Sequence, residues 1–174
     1  ARPPADLVRI AVAVDPPATA GPRADACGIV AAGLGEDGEA YVLADRTVQG
    51  LTPAGWAKAV RRAAEESGAG TIVVETNQGG DLVADLMRRA GGAALRVKPV
   101  RASASKTVRA EPVSLLYEQG RVHHVGSLPQ LEDEMCLFGG ASAGAKSPDR
   151  VDALVWALSE LMPRRGAAAR VRPV

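Results

Sequence analysis

The first patterned stretch of the chain is LVRIAVAVD, residues 7–15, a β-branched and alanine run with an acid at its tip, broken afterwards by Pro16 and Pro17. Such a run predicts a buried strand ending on Asp15. ACGIVAAGL (26–34) and AYVLADRTV (40–48) follow, separated by the turn-rich GEDGE (35–39), and together predict an antiparallel hairpin. TPAGWAKAVRRAAEESG (52–68) carries the signals of a helix: Thr52 as N-cap, Pro53 in the first turn, apolar residues at helical spacing and Gly68 at the end. TIVVE (71–75) predicts a fourth strand that places Glu75 at its tip, as the first strand places Asp15. A second helix is predicted across DLVADLMRRAG (81–91) and a fifth strand across ALRVKPV (94–100). EPVSLLYEQG (111–120) and LPQLEDEMCLF (128–138) predict helices around the short apolar RVHHVG (121–126), and a last helix runs from Asp149 to Met162.

An antiparallel opening followed by alternating strand and helix predicts an α/β fold with a mixed sheet flanked by helices. The crossover after the hairpin must return beside a strand already formed, so the first and fourth strands become neighbours and Asp15 lies next to Glu75. Sites in such sheets gather at the carboxyl ends of parallel strands.

The last helix sharpens this expectation. In KSPDRVDALVWAL (146–158), Asp149 and Asp152 are three residues apart, opposite an apolar face of Val151, Leu154, Val155 and Leu158. One reading is that two acids in a first turn complement the helix dipole. The other is that they meet Asp15 and Glu75. Clustered carboxylates repel one another unless a cation neutralises them, and hard oxygen ligands suit Mg²⁺ or Mn²⁺. A pair of such ions supports phosphodiester hydrolysis.

Composition changes this picture little, but local charge changes it. With 21 Lys and Arg against 20 Asp and Glu in 174 residues, net charge identifies no partner. Between Arg88 and Arg109, however, Arg88, Arg89, Arg96, Lys98, Arg101, Lys106 and Arg109 occur without an acid. Lys and Arg supply most contacts to the nucleic-acid backbone, and within SASKTVR (103–109) Ser103, Ser105, Lys106 and Arg109 form a candidate phosphate cradle. Aromatic residues make up only 3% of the chain, which favours duplex DNA over a single strand stacked on rings. GASAGAKS (140–147) misses a phosphate-binding P-loop at Ala145, where glycine is required, and is read as a loop carrying Lys146 towards the site. His123 and His124 point to opposite faces of a strand and so cannot share one metal. Trp56 and Trp156 fit core or half-buried packing. Cys27 and Cys136 have no metal-like spacing, so neither a disulfide framework nor a zinc site is expected. No apolar run of ~18 residues and no signal peptide are present, and a start at Ala1, without Met, points to a fragment or a processed chain.

Taken in order, VAVDPP, IVVETNQGGDLV, KTVRAEPVSLLYEQGRVHHVG, LEDEMCLF and KSPDRVDALVWAL closely resemble the C-terminal nuclease domain of the large terminase subunit of tailed bacteriophages and related prophages. The resemblance runs from about Arg9 to Met162. It implies an RNase H-like fold and metal-dependent cutting of concatemeric double-stranded DNA at the start and end of packaging. It also implies that Asp15, Glu75 and Asp152 are the catalytic, metal-binding carboxylates of a two-ion site bridged by Asp15, with Asp149 as an accessory ligand. Arg101, Lys106, Arg109 and Lys146 are the expected DNA contacts. Residues 1–8 become the end of a linker from an ATPase motor, 9–162 the nuclease domain and 163–174 a basic tail. Implied partners are that motor, the small terminase subunit, the portal and the procapsid, with no membrane, in the cytoplasm of a bacterial host. No ATP hydrolysis is expected of this segment. A resolvase-like or transposase-like nuclease of the same fold, or a non-catalytic DNA-binding packaging module, stays open at this point.

Overall fold

The computed structural model describes residues 6–17, 25–76, 85, 86, 88, 89, 95–138 and 148–163. Within them a six-stranded sheet comprises β1 (Leu7–Asp15), β2 (Gly28–Gly35), β3 (Ala40–Asp45), β4 (Thr71–Glu75), β5 (Arg96–Val100) and β6 (Val122–His124), in the order β5-β4-β1-β2-β3-β6. β1, β2 and β3 pair antiparallel, whereas β4 joins β1, β5 joins β4 and β6 joins β3 in parallel. The mixed sheet and the adjacency of the first and fourth strands match the sequence reading. Among the described residues four helices with complete bounds flank it: α1 (Pro53–Ser67), α2 (Lys106–Glu118), α3 (Pro129–Leu137) and α4 (Asp149–Leu161).

Alternation along the strands divides the core in two. Val12, Val14, Ile29 and Ala31 pack against α1 through Trp56, Ala57, Val60 and Ala64. Ala11, Ala13, Val30 and Ala32 face the other layer, where α4 contributes Ala153, Leu154, Ala157 and Leu158. Asp15 and Glu75 fall on this second face, in phase with Ala13 and Val73. α1 is bounded as its sequence signals require. The Thr52 side chain accepts from the Gly55 N–H, and Gly68 closes the helix in the left-handed region at φ 69°.

α2 departs from the expected start. It begins at Lys106 rather than Glu111, with the Ser105 side chain accepting from the Val108 N–H, and so carries Pro112 in its interior. The cap, together with ion pairs made by Lys106 and Arg109, holds a first turn that the proline disfavours. Within the candidate phosphate cradle, Ser105 is therefore a helix cap and Lys106 and Arg109 belong to a helical turn. Of the expected helix over 81–91 only Asp85, Leu86, Arg88 and Arg89 are described, and they are helical. Lys146, the loop around it and residues 164–174 of the tail lie outside the described residues.

The contact that brings the last helix to the strand ends is backbone on backbone. Gly28 pairs with Asp15 across β1 and β2, and a Cβ placed on Gly28 would stand 2.0 Å from the carbonyl oxygen of Asp149 and 3.3 Å from the Ala153 methyl. Ala153 and Ala157, both 0% exposed, continue this small-residue seam along α4. Substituting Gly28→Ala should destabilise the domain by at least about 2 kcal/mol, because a carbonyl cannot rotate away as a flexible side chain does. Urea denaturation measures this, and a loss below 0.5 kcal/mol would show that α4 can shift freely.

Candidate active site

Asp15, Glu75, Asp149 and Asp152 are all buried, with exposures of 8%, 4%, 6% and 2%. The first two end parallel neighbours β1 and β4, and the other two lie in the first turn of α4, which Gly28 admits to the same edge. The four candidate acids thus converge on one region of the sheet edge, as their positions in sequence predict.

Two cations enter this group. Arg109, from the first turn of α2, donates from Nη2 to Asp152 Oδ1 at 3.1 Å and from Nη1 to Glu75 Oε2 at 3.5 Å. Lys106, three residues earlier in the same turn, pairs with Asp152 Oδ2. The Asp152 carboxylate is therefore committed to α2, an ion pairing beyond the dipole complementarity that its place in the first turn of α4 also gives. Trp156 supplies a contact that its sequence position did not reveal. Its indole N–H donates to Glu75 Oε2 at 2.6 Å, while the Arg109 guanidinium lies 4.9 Å from its ring centroid. One side chain thereby orients both an acid and a base. The helical spacing of Trp156 from Asp152 was the available signal, since residues four apart share a face.

The electrostatics follow from burial and crowding. Burial, with the charges of Glu75, Asp152 and Asp149, pushes the Asp15 carboxyl up to about 8, against the opposing pull of Lys106. Burial also works against the charged form of Lys106, but the hydrogen bond and charge of Asp152, supported by Asp15 and Asp149, hold its ammonium above the usual lysine range. Burial and the charges of Asp15 and Asp149 push the Cys27 thiol upward, which removes it as a nucleophile. Four acids face two bases in this cluster. The donor set is all oxygen, the chemistry that hard divalent cations select. Among the described residues no three His, Cys, Asp or Glu side chains ring a common point, and Lys106 and Arg109 supply the positive charge in this arrangement.

The remaining basic residues divide. Arg101 follows β5 directly and is exposed at the edge that carries Glu75, whose partner in β5 is Val100. Lys98 is engaged instead with Glu160 at 2.6 Å, an acid it shares with Arg9. The basic run is thus partly neutralised in space by acids distant in sequence. His123 pairs with Glu39 and stacks on Tyr41, whereas His124 contacts Tyr117 and Glu132. Both belong to β6, three strands from β1, so neither joins the carboxylates.

Sequence reasoning also overlooked Arg150, between the two acids of α4. Its guanidinium turns to Asp45 at the end of β3 and to Gln130 and Glu134 of α3.

Comparison with known proteins follows the same lines. The large terminase nuclease of thermophilic phage G20c, solved with bound zinc, superposes with a TM-score of 0.66 at 19% identity, covering 87% of this chain and 81% of that one. The bacteriophage HK97 large terminase gives 0.66 at 13% identity, covering 91% of this chain but 40% of that protein. The yeast mitochondrial Holliday junction resolvase Ydc2 gives 0.56 at 10% identity, covering 91% and 80%. At these identities the likeness establishes an RNase H-like fold, shared by terminase nucleases and resolvases. No curated protein sequence matches the chain. The profile of the terminase RNase H-like domain matches residues 12–161, from the middle of β1 to the last residue of α4, and the chain therefore belongs to that family.

Proposed function

We propose that this domain is a metal-dependent endodeoxyribonuclease, the C-terminal nuclease of a large terminase subunit, which cuts concatemeric double-stranded DNA when packaging begins and ends. The observation that carries the reading is the charge imbalance at the sheet edge. Four buried carboxylates gather where the family's fold presents its strand ends, and two bases leave them short of neutrality. Two divalent cations, Mg²⁺ or Mn²⁺, suit this deficit, and the G20c nuclease has been solved with zinc and with cobalt. Asp15, Glu75 and Asp152 would hold them, with Asp149 as an accessory ligand. Such ions, when bound, lower the pKa of an attacking water and offset charge on the scissile phosphate.

The residues of the chain do the rest. Asp15 must give up the proton that burial and crowding favour. Trp156 fixes the Glu75 carboxylate by donating to one of its oxygens. Lys106 is 43% exposed, which leaves its ammonium within reach of solvent and of a phosphate. Arg109 is 11% exposed and faces the acids, so its role is to set charge inside the site as much as to meet DNA. Arg101, and Lys146 shortly before α4 in the sequence, would add contacts to the DNA backbone. In the cell this activity would operate in the cytoplasm of a bacterial host. There the domain would act beside its ATPase motor, the small terminase subunit, the portal and the procapsid. The likeness to Ydc2 supports a second reading, cleavage of branched DNA, which a four-way junction substrate separates from linear duplex.

Nicking and linearisation of supercoiled plasmid test the activity. Cutting should require Mn²⁺ or Mg²⁺, stop with EDTA, and fall on the order of 10³-fold or more in Asp15→Asn and Asp152→Asn. Undiminished cutting by a clean Asp15→Asn preparation would defeat the assignment. A second test concerns DNA affinity. Removing Lys106 and Arg109 together should flatten the dependence of log K on log salt by up to about 2, and an unchanged slope would place both outside the DNA path. A third follows from Asp15. Its folded pKa of about 8 stands above the unfolded value of ~3.9, so its contribution to stability is complete below about pH 4 and is lost as pH rises through about 8. In EDTA, Asp15→Asn should therefore melt higher than wild type at pH 8.5, by at least about 1 kcal/mol or roughly 2–4 °C, with the gap narrowing towards pH 5. Thermal melts across that range decide it, and a variant melting lower at pH 8.5 would contradict the crowding of these acids.

A further inference from the structure

α4 begins without a cap of its own. Pro148 occupies the N-cap position and makes no side-chain hydrogen bond there. The missing acceptor comes from another helix: Glu134 of α3 accepts from the Val151 N–H through Oε1 at 3.0 Å. Its other oxygen, Oε2, accepts from Arg150 Nη1 at 3.4 Å, while Arg150 Nε donates to Asp45 Oδ2 at 2.9 Å and Nη2 to Gln130 Oε1 at 2.9 Å. Asp45 is itself fixed, since its Oδ1 accepts from the Thr47 N–H at 3.0 Å, and the Thr47 hydroxyl accepts from the Ile29 N–H at 3.1 Å. The side chain of Arg150 is only 16% exposed and that of Asp45 10%. A guanidinium that spends its fork on three side-chain acceptors of its own chain has little left for a phosphate.

We infer that Arg150 is a positioning residue for the nuclease site, clamping the first turn of α4 between the end of β3 and α3 so that Asp149 and Asp152, its neighbours in that turn, stand at a fixed distance from Asp15. The inference rests on the metal-nuclease reading above and goes beyond it. α4 is pressed towards the sheet on one side by the Gly28 contact, and the clamp supplies the lateral restraint that a backbone contact lacks. Residues that hold ligating carboxylates in place are worth about 10–100-fold in metal affinity, a loss that appears before any DNA is bound.

Mn²⁺ binding to the DNA-free protein, followed by the loss of the free-ion electron paramagnetic resonance signal, tests this without reference to turnover. Arg150→Gln should retain cooperative unfolding yet bind Mn²⁺ 10–100-fold more weakly, with Arg150→Lys recovering only part of the loss. Asp45→Asn, which loosens the clamp from the far end and leaves α4 unaltered, should weaken binding in the same direction. Combined with Arg150→Gln it should add little, because the two act through one contact. Wild-type Mn²⁺ affinity in a folded Arg150→Gln protein would overturn the proposal. So would a variant that loses DNA affinity and salt slope but no Mn²⁺ affinity, since that would make Arg150 a phosphate contact. Should Arg150→Gln fail to fold, Asp45→Asn decides alone: wild-type affinity there overturns the clamp, and weakened affinity supports it. A wild-type protein that binds no Mn²⁺ would overturn the metal reading beneath it, a separate result from any difference between variants.

Discussion

The first turn of α4 lies against the sheet with no side chain between them. At Gly28 the strand backbone meets the Asp149 carbonyl directly, and Ala153 and Ala157 extend the contact. This close approach governs the rest of the site, because two of its four acids reach the strand ends only if the helix sits this low. Larger residues along the seam would have kept the core equally apolar. They would also have lifted Asp152 away from Arg109 and Lys106. The choice of small residues in β1, β2 and α4 is thus a choice about distance, with less apolar surface buried per residue as its cost. Leu154 and Leu158, each all but fully buried, recover part of that loss beside the seam.

The carboxylates gathered by this contact oppose folding. Each is removed from water and set beside others of like charge, an arrangement that costs several kcal/mol unless something positive is present. Lys106 and Arg109 provide partial relief and come from the same helical turn, so α2 acts as an internal counter-ion to α4. Trp156 ties the arrangement together by donating to Glu75 and underlying Arg109. Stability and activity make opposite demands here. The domain tolerates an excess of negative charge because the chemistry proposed for it uses that excess.

Much of this was legible in the chain itself. Strands that end on an acid, a capped helix between them and a late helix with two acids specify which side chains share an edge, since periodicity and parallel crossover constrain them strongly. The family could be read from the ordered motifs for the same reason. What escaped notice depends on contacts between elements far apart in sequence. Pro112 concealed the start of α2, because capping by Ser105 and ion pairing of the first turn outweigh a proline only after folding. The basic run was read as contacts to a DNA backbone, and only the fold sets Glu160, Glu75 and Asp152 beside it. Arg150 carried no signal of its own in the sequence. Its partners Asp45 and Glu134 lie in other elements, and no local pattern connects them.

The order of elements has a consequence for synthesis. Asp15 and Glu75 are translated early, on strands that form the centre of the sheet, whereas Asp149 and Asp152 arrive on the last helix. Until α4 docks at Gly28, a nascent chain presents two acids that lack their companions. On the proposed reading, a chain whose α4 has not yet docked would lack two of its four site carboxylates and would leave DNA uncut.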